Sequence, residues 1–327
     1  MCTLIIMKFI KLDTKNPYIN LAIEEYVFDK TTDSAFILWQ NEPTVVIGKN
    51  QNAYAEVDVD KANAMGVHIS RRITGGGAVY HDLGNLNYTF IADGEDKTLN
   101  FEYFTAPIIK ALASLGVEAK LSGRNDIEID GKKISGNAQC NRGGRVLHHG
   151  TLLFDSDLDF LSGILRVDKE KIESKAVKSV RARVGNIKDF LPREYTLSDF
   201  ESLIRSYVIS ELSGEEIEAP DNVDIQKLAE RNASFEWIFP ERAMVSDYTL
   251  AKKKRFPFGT VELTLAIMND LVKNVEISGD FFERTDVREL QNKICRIKLS
   301  ELRSKISSLS VGDYIFGMTD DDFASLF

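Results

Sequence analysis

The 327-residue chain holds only three cysteines and four histidines. Cys2, Cys140 and Cys295 form no C-x-x-C pair, and His81, His148 and His149 form no H-x-x-x-H or H-E-x-x-H spacing, which excludes a disulfide framework and argues against a zinc centre. Such thiol usage fits a reducing compartment. Positive charge is also short. The 41 Lys and Arg against 50 Asp and Glu leave a net charge of -9, the wrong sign for a non-specific nucleic-acid or membrane-surface binder. No basic leader opens the chain, and Lys8 and Lys11 interrupt its first apolar run, so the expected location is cytoplasmic, with Met7 as an alternative start. Internal repeats, low-complexity tracts and a G-x-x-x-x-G-K-[ST] loop are missing as well.

What is present is the run Arg71-Arg72-Ile73-Thr74-Gly75-Gly76-Gly77-Ala78-Val79-Tyr80-His81-Asp82-Leu83-Gly84-Asn85. Glycine amides can line a concave anion nest, and arginine adds charge-assisted donors, so the pattern suits a bound phosphate. The structural alternative is a tight turn that needs positive φ or close backbone packing. A dinucleotide fingerprint is excluded: Tyr80 stands where its third glycine belongs, and strand-like runs at 67–73 and 86–92 lie on both sides, whereas that fingerprint opens a helix. Arg72 shares strand parity with His68 and Ser70, and Arg71 with Val67, Ile69 and Ile73. Arg72 is therefore the expected phosphate contact, and Arg71 a snorkelling or salt-bridged residue.

Helical spacing covers 20–29, 58–65 and 100–115, and in part 223–239. The β-prone runs 35–40 and 44–48, around Asn41-Glu42-Pro43, read as a hairpin. Asp130-Gly131 predicts a type I′ turn that pairs Ile129 with Lys132, Glu128 with Lys133, and Asp126 with Ser135. Asp126, Glu128, Lys133 and Ser135 then share a polar face, with Ile127, Ile129 and Ile134 on the core face. Residues 145–154 form a strand with His148 and His149 on opposite faces, and Ser198 with Glu201 predicts a capping box for a helix to 212. The basic residues 252–255 and Pro257 read as a connector, after which a hairpin around Asn269-Asp270, a helix at 287–294 and a closing element at 313–327 start a fresh pattern. The domains expected are 1–246, a connector at 247–255, and a small α+β domain at 256–327.

Lys133 is the candidate reacting-centre cation, suited to neutralising a phosphate and a carboxylate together. Its alternative is a solvated cross-strand pair with Glu128. Asp126 has a Mg²⁺-ligand reading, since that ion is commonly held by one or two carboxylates plus nucleotide phosphates, and a hairpin-edge reading beside it. The histidines read as packing or hydrogen-bonding groups. Cys140 has no sequence-level partner to activate it as a nucleophile.

Taken together, Arg71-Arg72-x-x-Gly-Gly-Gly-Ala-Val-Tyr-His-Asp-Leu-Gly-Asn, Gly123-Arg124-Asn125-Asp126-Ile127, Lys133-Ile134-Ser135-Gly136-Asn137-Ala138 and His148-His149-Gly150-Thr151-Leu152-Leu153 resemble the lipoate-protein ligase A family in order and spacing. So do Asn20-Leu21-Ala22-Ile23-Glu24-Glu25, Leu38-Trp39-Gln40-Asn41 and Ser179-Val180-Arg181-Ala182-Arg183-Val184. The resemblance implies an α/β (α+β) chain of the biotinyl/lipoyl-transferase fold: a mixed, largely antiparallel sheet flanked by helices, with a small C-terminal accessory domain. It implies that lipoate, or octanoate, and ATP with Mg²⁺ give an acyl-AMP and pyrophosphate. A lysine of a lipoyl carrier domain, as in 2-oxoacid dehydrogenase E2 subunits or the glycine cleavage H protein, then takes the acyl group, with the enzyme expected to be a monomer.

By motif position, the resemblance makes Lys133 the essential lysine. It makes Arg72 with Gly75, Gly76, Gly77, Ala78, Val79 and Tyr80 the adenylate-binding set, and Asp126 a residue near phosphate and metal. Trp39, His81, Ser135, Ala138 and His149 match positions of the lipoyl pocket. In the accessory domain, Pro257 and Thr260 depart from the family's usual Trp-Gly-Gly. The alternatives are a cysteine-dependent octanoyl or lipoyl acyltransferase of the same fold, which places its nucleophile near 123–126 where this chain has no cysteine, and a non-catalytic lipoate-binding paralogue. Biotin ligation is a more distant relative.

Overall fold

The computed structural model describes residues 7–159, 183–240 and 250–327. Cys2, the residues 179–182 of the arginine-rich motif, and the expected domain boundary near 246 lie outside the described residues. Fourteen described strands run in chain order: β1 Lys8–Lys11, β2 Ala35–Trp39, β3 Thr44–Ile47, β4 His68–Arg71, β5 Val79–His81, β6 Asn85–Asp93, β7 Lys120–Ser122, β8 Asp126–Ile129, β9 Lys132–Arg142, β10 Arg145–Leu153, β11 Glu215–Ile217, β12 Leu250–Phe256, β13 Gly259–Met268 and β14 Leu271–Gly279. Eight of them form one sheet in the order β11-β1-β2-β6-β10-β9-β8-β7. Its first three strands are parallel and the rest antiparallel.

Alternation along the strands separates two cores. On one face Phe36, Leu38, Tyr88 and Phe90 pack against Phe104, Ile108 and Leu112 of helix Phe101–Ser114, and against Phe200, Ile204 and Val208 of helix Leu197–Glu211. On the other, Ile37, Trp39, Ile91 and Leu147 meet Leu21, Val27 and Phe28 of helix Pro17–Lys30 and Ile225 of helix Val223–Ala233. Helix Pro17–Lys30 starts where it does because Pro17 suits a first helical position and the Asn16 side chain accepts from Tyr18 N and Ile19 N.

The runs 35–40 and 44–48 do not form a hairpin. β3 leaves the large sheet and centres a second one, β4-β3-β5, parallel to β4 and antiparallel to β5. Buried Asn20 holds the crossing, donating to Gln40 O at 2.7 Å and Asn41 Oδ1 at 2.9 Å, so the chain passes between layers instead of folding back. Two further expectations need correction. The capping box of helix Leu197–Glu211 is Thr196 with Asp199, not Ser198 with Glu201. Residues 252–255 are no connector but part of β12, the edge of the C-terminal sheet β12-β13-β14.

That sheet turns at Asn269 and Asp270, both at positive φ as a type I′ turn requires. It packs through Val261, Leu263 and Leu265 on Leu290 and Ile294 of helix Val287–Ile294. Among the described residues, no helix is long and apolar enough to cross a membrane.

Candidate active site

A cavity of about 330 Å³ opens between the two sheets of the larger domain. The large sheet supplies Trp39, Asn87, Gly136, Asn137, Ala138, His149, Gly150 and Thr151, and the small one Val46, Arg72, the loop Gly76 to Val79, and His81. Arg124, Asp126 and Lys133 stand at a charged end, where Arg255, Pro257 and Asp280 of the C-terminal domain add to the wall.

The hairpin β8–β9 places Lys133 by way of a bulge. Ile129 pairs with Lys132 and Glu128 with Lys133, but Ile127 then faces Ser135 and Asp126 faces Gly136, so Ile134 is the extra residue. The expected pairing of Asp126 with Ser135 is thereby overturned. Past the bulge Ser135 turns into the core, fully buried, and Gly136 comes under Lys133. The ammonium meets Asp126 Oδ1 at 2.8 Å. Val184, last residue of the arginine-rich motif, bridges to Lys133 on its other side.

Arg72 lines the cavity with its guanidinium tied to the protein's own acceptors. Its Nε donates to Thr74 Oγ1, Nη1 to Val46 O at 3.0 Å, and Nη2 to the carbonyls of Gly75 and Gly77 at 2.8 and 2.7 Å. Burial lowers its pKa to about 10, which leaves it a cation that moulds the glycine loop from behind. Arg71 is not a snorkelling residue. It is buried and donates to the carbonyls of Gly48, Lys49, Gln51, Trp237 and Ile238.

The three glycines answer to different constraints. A Cβ on Gly75 would sit 2.4 Å from Phe281 O, and Gly76 has φ +89° and donates to that same carbonyl at 3.1 Å. Gly77 meets nothing nearer than 4.0 Å and faces the cavity. Gly75 therefore serves the approach of the C-terminal domain, Gly76 both that approach and the cavity wall, and Gly77 to Val79 the cavity. Gly75, Tyr80 and Ser135 do not line it: Tyr80 packs into the core of the small sheet.

At the apolar end Trp39 Nε1 donates to Thr89 Oγ1, which donates to Glu24 Oε1 at 2.6 Å. His149 joins the same carboxylate through Nδ1 and Thr74 Oγ1 through Nε2, each at 2.8 Å. Thr74 Oγ1, which also accepts from Arg72 Nε, and the Glu24 carboxylate thus hold the His149 ring at both of its nitrogens. His81 takes a hydrogen bond from Asn41 Nδ2 at 3.1 Å. Burial, with Arg72 and His149 nearby, pushes its pKa down to about 3, so it is neutral.

Sequence reasoning missed Glu24, Thr74, Arg124 and the C-terminal wall. Glu24, Thr74 and Arg124 all lie in the segments 20–25, 71–85 and 123–127 that carry the resemblance, but nothing in their local spacing distinguishes them from core or surface residues. Arg124 stacks on Phe282, 4.4 Å from the ring centre, and Nη2 approaches Asp280 O at 3.3 Å. Lys49 reaches Glu283 and Asp286 at 2.7 and 3.3 Å, a further tie between the domains. Cys140 is outside the cavity, and burial among apolar side chains pushes its thiol well up, the opposite of an activated nucleophile. Among the described residues, no group of three or more His, Cys, Asp or Glu is placed to hold a metal, so a protein-only metal centre is not formed around Asp126.

The lipoyl protein ligase A/B catalytic domain family matches residues 16–208, and the bacterial lipoate protein ligase C-terminus matches residues 246–327. A lipoate-protein ligase of Bacillus subtilis is 39% identical, over 96% of this chain and 98% of its own length. A solved lipoate-protein ligase A bound with ATP superposes with TM-score 0.62 at 28% identity, over 72% of this chain and 98% of that one. The bi-partite lipoate protein ligase of Thermoplasma acidophilum, studied with its E2 lipoyl domain, gives TM-score 0.65 at 30% identity over 74% and 99%. With both family domains present in one chain and a lysine–aspartate pair facing a glycine loop across the cavity, this protein belongs to the lipoate-protein ligase family.

Proposed function

We propose that the cavity joins lipoate to ATP and then passes the acyl group to a lysine of a lipoyl carrier domain. The observation that carries the reading is the Lys133–Asp126 pair at 2.8 Å, set in one cavity with the backbone of Gly76 to Ala78 and with the apolar side chains of Leu21, Trp39, Val46 and Val79. The apolar residues suit an acyl tail. Its carboxylate then lies toward Lys133, beside the loop proposed to hold the nucleotide.

Two anions repel as they approach, and a fixed cation with aimed backbone amides lowers that barrier without reorganising. In the first step a carboxylate oxygen attacks the α-phosphorus and the bond to pyrophosphate breaks. In the second, the carrier amine attacks the acyl carbon, AMP leaves, and the amine proton passes to solvent. Mg²⁺ is proposed to arrive with the nucleotide as part of the substrate, and Asp126 would be a carboxylate available to meet it.

The test is incubation with lipoate, MgATP and an apo carrier domain, following pyrophosphate and carrier mass. Mass gain of one lipoyl group that requires ATP and tolerates Cys140→Ser is expected. Transfer from an acyl-carrier thioester without ATP, lost in Cys140→Ser, would overturn the reading.

A further inference from the structure

Behind the cavity, on the core face of the large sheet, lies a buried polar chain with a fixed direction. It begins at a backbone amide: Leu99 N donates to Gln139 Oε1 at 2.8 Å. That bond settles the orientation of the Gln139 amide, so its Nε2 donates to His148 Nδ1 at 2.9 Å. His148 must then carry its proton on Nε2, which meets Asn137 Oδ1 at 3.2 Å. The Tyr88 hydroxyl donates to the same oxygen. With Oδ1 saturated, Asn137 Nδ2 points the other way, to Asn125 O at 3.0 Å and Ser135 Oγ at 3.3 Å.

Asn125 is held three times: its carbonyl also accepts from Asn137 N at 2.9 Å, and its own Nδ2 donates to Asn137 O at 2.5 Å. It stands between Arg124 and Asp126, both in the cavity wall. Packing fixes the ring plane as well, since His148 stacks on Phe104 at 5.0 Å and 15°, with Phe101 edge-on at 5.7 Å. Gly150 leaves the room: a Cβ there would fall 2.2 Å from Asn137 Oδ1 and 2.7 Å from the Tyr88 ring.

We infer that His148, as a neutral Nε2–H imidazole, is a positioning residue for the ligation site: through Asn137 and Asn125 it sets the turn that presents Asp126 to the Lys133 ammonium. The inference rests on the function proposed above for Lys133. A second proton on the ring would set Nδ1–H against the Gln139 amide hydrogens, so only the neutral form fits. Buried networks of this kind specify one geometry because each unmet donor or acceptor is costly.

The experiment compares His148→Phe, which keeps a flat ring and loses both hydrogen bonds, with His148→Gln, which restores a donor near the Nε2 position. Tyr88→Phe removes the second donor to Asn137 and serves if His148→Phe does not fold. Three quantities are read: thermal midpoint, kcat and KM for lipoate-dependent pyrophosphate release, and the rate at which an amine-reactive ester labels Lys133, followed by peptide mass. The labelling rate needs no turnover, so it reports on positioning even if the proposed ligation is wrong.

For His148→Phe the expected result is a kcat lower by about tenfold, in line with small misplacements of reacting groups, with KM within about twofold. Lys133 should be labelled several-fold faster, and His148→Gln should regain most of both. Tyr88→Phe should move the same two readouts in the same direction by a smaller factor. Unchanged labelling and kcat in a folded His148→Phe or Tyr88→Phe, or a folded His148→Gln as impaired as His148→Phe, would overturn the inference. Altered labelling in an enzyme whose wild type releases no pyrophosphate would uphold the positioning and reject the proposed reaction.

Discussion

Gly136 lies under the Lys133 side chain: a Cβ built at 136 would stand 3.0 Å from Nζ and 3.1 Å from Cε. The atoms it would meet are the far end of a flexible chain, so Gly136→Ala should fold and displace the ammonium from Asp126. Pyrophosphate release should fall by about tenfold, with a stability change below about 1 kcal/mol. Steady-state kinetics beside urea unfolding would check both.

Arg72→Met should act first on stability. It leaves the carbonyls of Val46, Gly75 and Gly77 without their donor, and unmet buried acceptors cost about 1 to 3 kcal/mol each. Urea unfolding should show a loss of at least about 2 kcal/mol, with KM for ATP raised as the loop loosens. Full stability with only nucleotide affinity reduced would restore Arg72 as a direct phosphate contact.

Gly75→Ala and Gly77→Ala should differ in kind. The first puts a methyl 2.4 Å from the backbone oxygen of Phe281, which cannot yield alone, and the second has nothing closer than 4.0 Å. Limited proteolysis between the domains should accelerate for Gly75→Ala and stay at the wild-type rate for Gly77→Ala, whose effect should appear in KM for ATP.

Stability should fall between pH 6.5 and about 3. Burial holds the His81 pKa down at about 3, so the unfolded chain binds a proton there that the fold refuses, and acidification favours unfolding. His148 is displaced in the same direction by burial. His81 contributes a loss of about 2 kcal/mol between pH 7 and pH 5, and His148 adds to it with the same sign. Urea midpoints for His81→Gln should therefore decline less steeply than the wild type's; parallel declines would contradict the buried neutral imidazole.

The Asp130-Gly131 and Asn269-Asp270 turns, the helix at 287–294 and the opposite facing of His148 and His149 were legible because each rests on local backbone chemistry or alternation. The route of β3 into a second sheet was not, since the contacts of Asn20 that direct it join residues about twenty apart. The bulge at Ile134 left no composition signal, so Ser135 was read one face out of place. Within the site, Lys133, Asp126, Trp39, His81, Ala138, His149 and Gly76 to Val79 do line one cavity. Arg72 was read as a ligand-facing cation because strand parity says which side a residue leaves, not which carbonyls wait there. Glu24 and residues 280–282 lie far along the chain from the glycine run, and their meeting at the site needed coordinates.

The role of Lys133 is decided by lipoate-dependent pyrophosphate release in Lys133→Ala. A loss of at least about 10²-fold is expected, the usual consequence of removing a preorganised charge-stabilising group, in a protein that still folds. Release at the wild-type rate would contradict that role.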